Sequence, residues 1–288
     1  MIPAQFEYHR PVTVGEAVQL LQNNPDAKVL AGGHSLIPVM KMRLAAPDAL
    51  IDIGRIAELK GISSSSGSLR IGATTTYYEI ANSEAVKAAA PLLAEAAGQI
   101  GDRQVRYRGT IGGNLSHSDP ASDLPATVLA LNATLHVTGP NGSRTISAAD
   151  FFVDLMTTAL DAGEILTAVE IPAATGQSGS AYLKFEHPAS GYALCGAAAL
   201  VGLDGSGKCA SARLCFNGVN SHALDAASVA SALIGSDLSD GAIDAAVDGH
   251  LSIPDPMGDM FASGEYRAQV ANVYGKKALK TARDRARG

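Results

Sequence analysis

The sequence predicts an α+β chain in two parts. Residues 1–175 form two α/β lobes, about 1–58 and 59–175, and residues 178–288 form a three-stranded antiparallel sheet with helices. Three observations predict this. Short apolar runs alternate with capped helical stretches through the first part. A small, polar segment, Pro172-Ala173-Ala174-Thr175-Gly176-Gln177-Ser178-Gly179-Ser180, then breaks the pattern. Beyond it strands come first and helices last, the segregated order of an α+β fold.

Phe6 to Arg10 reads as a short strand, and Thr13 with Glu16 forms a capping-box pattern ahead of Ala17-Val18-Gln19-Leu20-Leu21. That helix ends near Asn23-Asn24-Pro25, and Ala27 to Ala31 is an apolar strand that leads into Gly32 and Gly33. Leu36 to Leu44 reads as a short helix whose N-terminal dipole adds to anion binding, with Lys41 and Arg43 as solvated charges. Ala49 to Ile53 is a buried strand and Arg55 to Lys60 a short helix, which completes a small βα unit.

Ile62 to Ile71 reads as a hairpin with a solvated serine tip, Ser63-Ser64-Ser65-Ser66-Gly67. Thr76 and Glu79 make a second capping box, with helices through Ile80 and from Leu92 to Ala97. Arg108 to Pro125 carries a second glycine loop, followed by a helix from about Ser122 to Leu131 with Pro125 in its first turn. Thr134 to Val137 and Ile165 to Ile171 read as strands. In the C-terminal part the strands are Tyr182 to Glu186, Leu194 to Leu203 and Cys209 to Phe216, the last two joined by Asp204-Gly205-Ser206-Gly207. Helices over Ala223 to Ile234, Ala242 to Leu251 and Ala262 to Ala286 close the chain. The last ends in Lys276, Lys277, Lys280, Arg283, Arg285 and Arg287, which complement its dipole or form a face for an acidic partner.

The chain has 288 residues, 47% of them hydrophobic, enough for a buried core and more than one domain. A net charge of −6 provides no basic field for nucleic acid. No apolar run reaches the roughly 20 residues of a membrane helix, and Met1-Ile2-Pro3-Ala4-Gln5 is no signal peptide. The three cysteines, Cys195, Cys209 and Cys215, are odd in number and lack CxxC spacing, so buried thiols in a reducing cytoplasm are expected. No Rossmann fingerprint, Walker loop, HExxH motif or cysteine cluster occurs, and no metal site is expected.

The chemistry concentrates in two loops. Ala31-Gly32-Gly33-His34-Ser35-Leu36 and Thr110-Ile111-Gly112-Gly113-Asn114-Leu115-Ser116-His117 each place a glycine pair behind a β-like run, with small polar side chains after it. Glycine allows φ > 0 and a close approach of backbone N–H groups to a ligand. Successive N–H groups form an anion-binding concavity, so two such loops suit one pyrophosphate gripped from two sides. Both are also readable as tight turns, and His34 and His117 as neutral hydrogen-bonding groups.

These two loops resemble the FAD-binding loops of the molybdenum hydroxylase flavoproteins, a family with the vanillyl-alcohol oxidase type of FAD-binding fold. The resemblance runs from Phe6-Glu7-Tyr8 to the final helix, and His34-Ser35 with Ser190-Gly191-Tyr192 points to the carbon monoxide-oxidising branch. It implies FAD as the cofactor, held by backbone amides of Gly32, Gly33, His34, Ser35, Gly112 and Gly113 and side chains of Ser35, Asn114 and Ser116. It also implies that Asp123 contacts an FAD sugar hydroxyl, a helix N-cap being a compatible role. Ile100 then lies against the isoalloxazine, Leu166 and Lys184 line its other side, and Tyr192 sits near the ring edge or in the core.

By the same resemblance, the chain is one subunit of a heteromeric oxidoreductase, expected as a dimer of heterotrimers in the cytoplasm or at the inner face of its membrane. A large subunit with the molybdenum cofactor oxidises the substrate, and a small subunit with [2Fe–2S] clusters relays electrons through FAD to a quinone-type acceptor. A xanthine dehydrogenase-like complex, or another acting on aldehydes or N-heterocycles, is the alternative. Two readings of other classes compete. A hydrolase would use Gly33-His34-Ser35-Leu36 as a nucleophile elbow, but Ile37 stands where the second glycine belongs. A non-catalytic interaction subunit would use both glycine loops as structural turns.

Overall fold

The computed structural model describes residues 1–65, 67–174 and 176–288. Ser66, in the expected hairpin tip, and Thr175, the expected end of the first part, lie outside the described residues.

A first sheet is parallel, with Ala49–Asp52 between Glu7–His9 and Lys28–Leu30. The helix Val14–Asn23 starts at Thr13, whose side chain accepts from the Glu16 N–H. The expected box is half made, because the Glu16 carboxylate accepts from the Val12 N–H instead. Leu36–Lys41 is a helix of 6 residues, shorter than expected, and Arg43 just beyond it has φ of 59°.

A second sheet has five strands in the order Ile62–Ser65, Ser68–Gly72, Ile165–Pro172, Thr134–Gly139, Gly142–Ser147. Every adjacent pair is antiparallel. The alternating burial of Thr134–Gly139 shows why: one face lies on a core of Ile80, Leu92, Leu93, Leu124 and Val128, the other faces out. The Thr76–Glu79 box is complete, and Tyr77–Asn82, Glu84–Ala89 and Pro91–Gly98 are three successive helices. Arg103–Arg108 and Ile111–His117 are further helices that the sequence reading did not separate from the loop.

The C-terminal sheet has the three expected strands, Gln177–Glu186, which starts five residues earlier than expected, Ala193–Leu203 and Cys209–Asn217, plus a two-residue fourth, Leu224–Asp225. The polar segment expected as a boundary is largely strand: Pro172 ends one and Gln177 begins the next. Ala193–Leu203 is buried almost throughout because both faces are covered. Helix Gly264–Arg287 packs on one face through Ala271, Gly275, Ala278 and Ala282, and a Cβ on Gly275 would stand 2.9 Å from the Phe216 ring. On the other face Tyr182, Ala198 and Cys215 join the core of the five-stranded lobe.

The basic tail of that helix is paired within the chain. Lys276 binds Asp248, Lys280 binds Asp240 and Asp244, Arg283 binds Asp240 and Asp284, and Arg285 binds Glu95. Lys277 lies over the Tyr274 ring. The stripe braces neighbouring elements. No helix among the described residues is long and apolar enough to cross a membrane.

Candidate functional site

A cavity of about 940 Å³ runs between the first sheet, the five-stranded lobe and the loop before Ala193–Leu203. Its size is at the upper end of the roughly 300–1,000 Å³ typical of cofactor sites. Of the residues expected from sequence, Ala31 to Leu36, Ile100, Thr110, Gly112, Gly113, Asn114, Ser116, His117, Asp123, Leu166 and Tyr192 all line it. Ile111 and Lys184 do not: Ile111 is fully buried in the core, and Lys184 lies behind the wall.

The two glycine loops are built differently. In the first, Gly33 has φ of +76°, a conformation glycine adopts without strain. Among the described residues, the N–H groups of Gly32, Gly33, His34 and Ser35 have no protein acceptor. The His34 ring is within hydrogen-bond distance of the Gly32 carbonyl at 3.1 Å, which braces the turn. Ser35 is bonded to no histidine among the described residues, so no nucleophile pair forms there.

The second glycine pair lies in the first turn of the helix Ile111–His117, which Thr110 caps through its side chain. Its N–H groups are already committed. Ile111 donates to the Thr75 carbonyl (3.0 Å), Gly112 to the Ala73 carbonyl (2.8 Å) and Gly113 to the Thr110 hydroxyl (3.2 Å). The expectation that Gly112 and Gly113 offer backbone donors is therefore corrected. They serve close approach: a Cβ on Gly112 would lie 2.5 Å from the Ala73 Cβ, and one on Gly113 2.9 Å from the Thr110 hydroxyl and 3.7 Å from Ala31. Gly113, Ser116 and His117 are spaced three and four apart, one face of the helix, and all line the cavity.

Asn114 is also committed. Its amide donates to the Tyr77 hydroxyl (3.0 Å), and its carbonyl accepts from Ser122 (2.7 Å). Tyr77 and Ser122 line the cavity too and were missed from sequence, because neither belongs to a motif. Asp123 begins the helix Leu124–Ala130 but makes no side-chain cap bond. Its carboxylate instead accepts from Tyr182 (2.5 Å) and Lys184 (3.2 Å). Burial pushes its pKa up to about 6, with Lys184 and then Tyr182 pulling the other way. Burial likewise raises Tyr182, with Asp123 adding to the shift.

The cavity thus combines loop N–H groups that have no protein acceptor among the described residues with the apolar side chains of Ile100 and Leu166 and the 48%-exposed Tyr192. That combination suits a dinucleotide such as FAD, which carries both phosphates and a flat apolar ring. Gly113 lets the two loops approach closely, since a Cβ there would already touch Ala31 at 3.7 Å. Among the described residues no group of three His, Cys, Asp or Glu is placed to hold a metal. Burial raises all three thiols, Cys195 to about 12.

Residues 4–174 match the FAD binding domain in molybdopterin dehydrogenase, and residues 180–282 the CO dehydrogenase flavoprotein C-terminal domain. The carbon monoxide dehydrogenase medium chain of Afipia carboxidovorans is 39% identical over 100% of both chains. The glyceraldehyde dehydrogenase medium chain of Sulfolobus acidocaldarius is 38% identical, over 97% of this chain and 99% of that one. Among solved structures, carbon monoxide dehydrogenase from Hydrogenophaga pseudoflava superposes with a TM-score of 0.95 at 41% identity, covering 99% of each chain.

Proposed function

The chain belongs to the FAD-binding family of the molybdopterin dehydrogenases, and from that premise we propose that it is the flavin-carrying subunit of a complex that oxidises carbon monoxide. One observation carries the reading: Gly32 to Ser35, four successive residues whose N–H groups have no protein acceptor among the described residues, line one cavity together with Ile100, Leu166 and Tyr192. When bound, FAD supplies the redox chemistry. The chain's own residues bind and orient it. Gly32 to Ser35 donate to the pyrophosphate, and Gly113 leaves it room. Ser116 and His117 add side-chain hydrogen bonds, and Asp123 accepts from a sugar hydroxyl. Ile100 and Leu166 keep water from one end, while Tyr192 stands at the exposed edge.

Carbon monoxide is small and weakly basic, and its oxidation needs a metal centre that this chain's buried, protonated thiols do not provide. The proposal therefore assigns the molybdenum cofactor to a large partner and [2Fe–2S] clusters to a small one, in a dimer of heterotrimers. Electrons pass through this chain to a quinone-type acceptor. Three buried free thiols support a cytoplasmic setting. Two domains, 1–175 and 178–288, belong to the same reading, the second closing over the isoalloxazine. The near-equal likeness to a glyceraldehyde dehydrogenase subunit gives a second reading, an aldehyde-oxidising complex.

The purified chain is expected to be yellow, with flavin absorption bands. Dye reduction under carbon monoxide should appear only once both partners are added. Turnover with glyceraldehyde and none with carbon monoxide selects the second reading, and a colourless chain that takes up no added FAD overturns both.

A further inference from the structure

Lys184 lies on the strand Gln177–Glu186 with its side chain 2% exposed. Its ammonium donates to acceptors on three separate segments: the Gln99 carbonyl (2.8 Å), the Gly191 carbonyl (2.9 Å) and Asp123 Oδ2 (3.2 Å). Three donors meet three acceptors, so no proton is left for a ligand. The position of the acceptors carries the argument. Gln99 directly precedes Ile100 and Gly191 directly precedes Tyr192, and both of those followers line the cavity.

Neither segment belongs to a sheet. Gly191 has φ of +71° and Gly101 of +49°, so both are turns, and the strand ladder resumes just past the first, where the His187 N–H donates to the Tyr192 carbonyl at 2.8 Å. The Ile100 and Gly101 carbonyls are held from outside by Arg106 at 3.0 and 3.1 Å. On the other side, the Gly191 N–H donates to the His187 carbonyl at 2.8 Å. Lys184 alone among these groups ties one turn to the other. Tyr182, two residues earlier on the same strand face, anchors the second Asp123 oxygen at 2.5 Å. The carboxylate is thereby a fixed post against which the Lys184 head is held.

Resting on the FAD reading above, we infer that Lys184 is a positioning residue: it sets the spacing of Ile100 and Tyr192 as two jaws around the flavin ring without touching the ring. A group displaced by about 1 Å through a loosened support is enough to change a site's behaviour. Lys184→Met removes all three donors while keeping the length of the side chain. The full chain carrying it is expected to bind FAD about tenfold more weakly, because the slot is no longer pre-organised. At equal FAD occupancy, bound-flavin emission should rise roughly twofold as Tyr192 moves off the ring edge.

Tyr192→Ala should give the same rise, and should add nothing in the Lys184→Met background, the non-additivity of two residues acting through one contact. Lys184→Arg keeps the positive charge beside Asp123 and so protects the fold. Its planar head does not reach both carbonyls as the ammonium does, so its emission should rise in the same direction. A purely structural lysine would lower the melting temperature and leave emission at full occupancy unchanged. Wild-type emission and FAD affinity in the folded Met or Arg variant, or Lys184 and Tyr192 effects that simply multiply, would overturn the inference. A wild-type chain that takes up no FAD instead overturns the functional reading beneath it, a separate and recognisable result.

Discussion

The two Gly-Gly loops look alike in sequence and do opposite jobs in the fold. At Gly33 the backbone turns through φ of +76°, and the Gly32 and Gly33 N–H groups have no protein partner among the described residues. Around Gly112 and Gly113 the backbone is a capped helix, and each N–H is spent on Ala73 or Thr110. The first loop offers donors; the second offers the absence of a side chain and a face carrying Ser116 and His117. The difference teaches that a glycine pair at a cofactor site is not by itself a phosphate cradle. What decides is where the neighbouring acceptors are. Thr110, one turn ahead of Gly113, is the residue that closes the second loop to ligand.

The sharpest break of this comparison comes from glycines whose missing Cβ faces backbone. A Cβ on Gly32 would lie 2.2 Å from the Arg108 carbonyl oxygen, and one on Gly112 2.8 Å from the Ala73 oxygen. Gly32→Ala and Gly112→Ala should each lose about 3 kcal/mol or more, seen as collapse of the urea midpoint. Such variants report packing, so loss of flavin from them says nothing about the cradle. Gly33→Ala should cost about 1–2 kcal/mol, the strain of a side chain at positive φ. Gly113→Ala instead should keep the fold, at a cost near 1 kcal/mol from the disturbed Thr110 cap. Its Cβ narrows the gap toward Ala31, and FAD affinity measured by fluorescence titration should fall about tenfold.

A subtler test lies at Asp123, beside the second loop. Its pKa is about 6 in the fold against an ordinary 3.8, so the folded state binds this proton more tightly than the unfolded chain does. A raised carboxyl pKa means that its contribution to stability grows as pH falls through 6 toward 4 and is lost above. Relative to Asp123→Asn, which does not titrate, the wild type should gain on the order of 1 kcal/mol between pH 7.5 and 5 in urea unfolding. A constant difference would show that the Asp123 pKa is not raised in the fold. The smallest expected effect is at Ser116, exposed on the ligand-facing side of the helix. Ser116→Ala should weaken FAD binding by about 1 kcal/mol, one hydrogen bond, with no change in melting temperature.

Much of the architecture was legible because periodicity and caps are local. Thr76 with Glu79, the Asp204 to Gly207 hairpin and the two strands it joins stand where the sequence puts them, while Gln177–Glu186 begins inside the polar segment read as a boundary. The helix Ile111–His117 was hidden because glycine is among the poorest helix formers. Burial of Ile111 and Leu115 and the Thr110 cap override that propensity. Asp123 looked like a cap from its place before Leu124-Pro125, but Tyr182 and Lys184, 59 and 61 residues away, claim its carboxylate. Tyr77 and Ser122 were invisible for the same reason, since their place in the site follows from meeting Asn114.

The central claim is that the cofactor is held by the open donors of the first loop and not by the closed ones of the second. Amide hydrogen exchange, followed by NMR with and without FAD, tests it most directly. Without FAD, the Gly32 to Ser35 amides should exchange fast and the Gly112 amide slowly. On adding FAD, Gly32 to Ser35 should become protected while Gly112 stays as it was. Protection that appears at Gly112 and Gly113, with Gly32 to Ser35 still exchanging freely, would contradict the account.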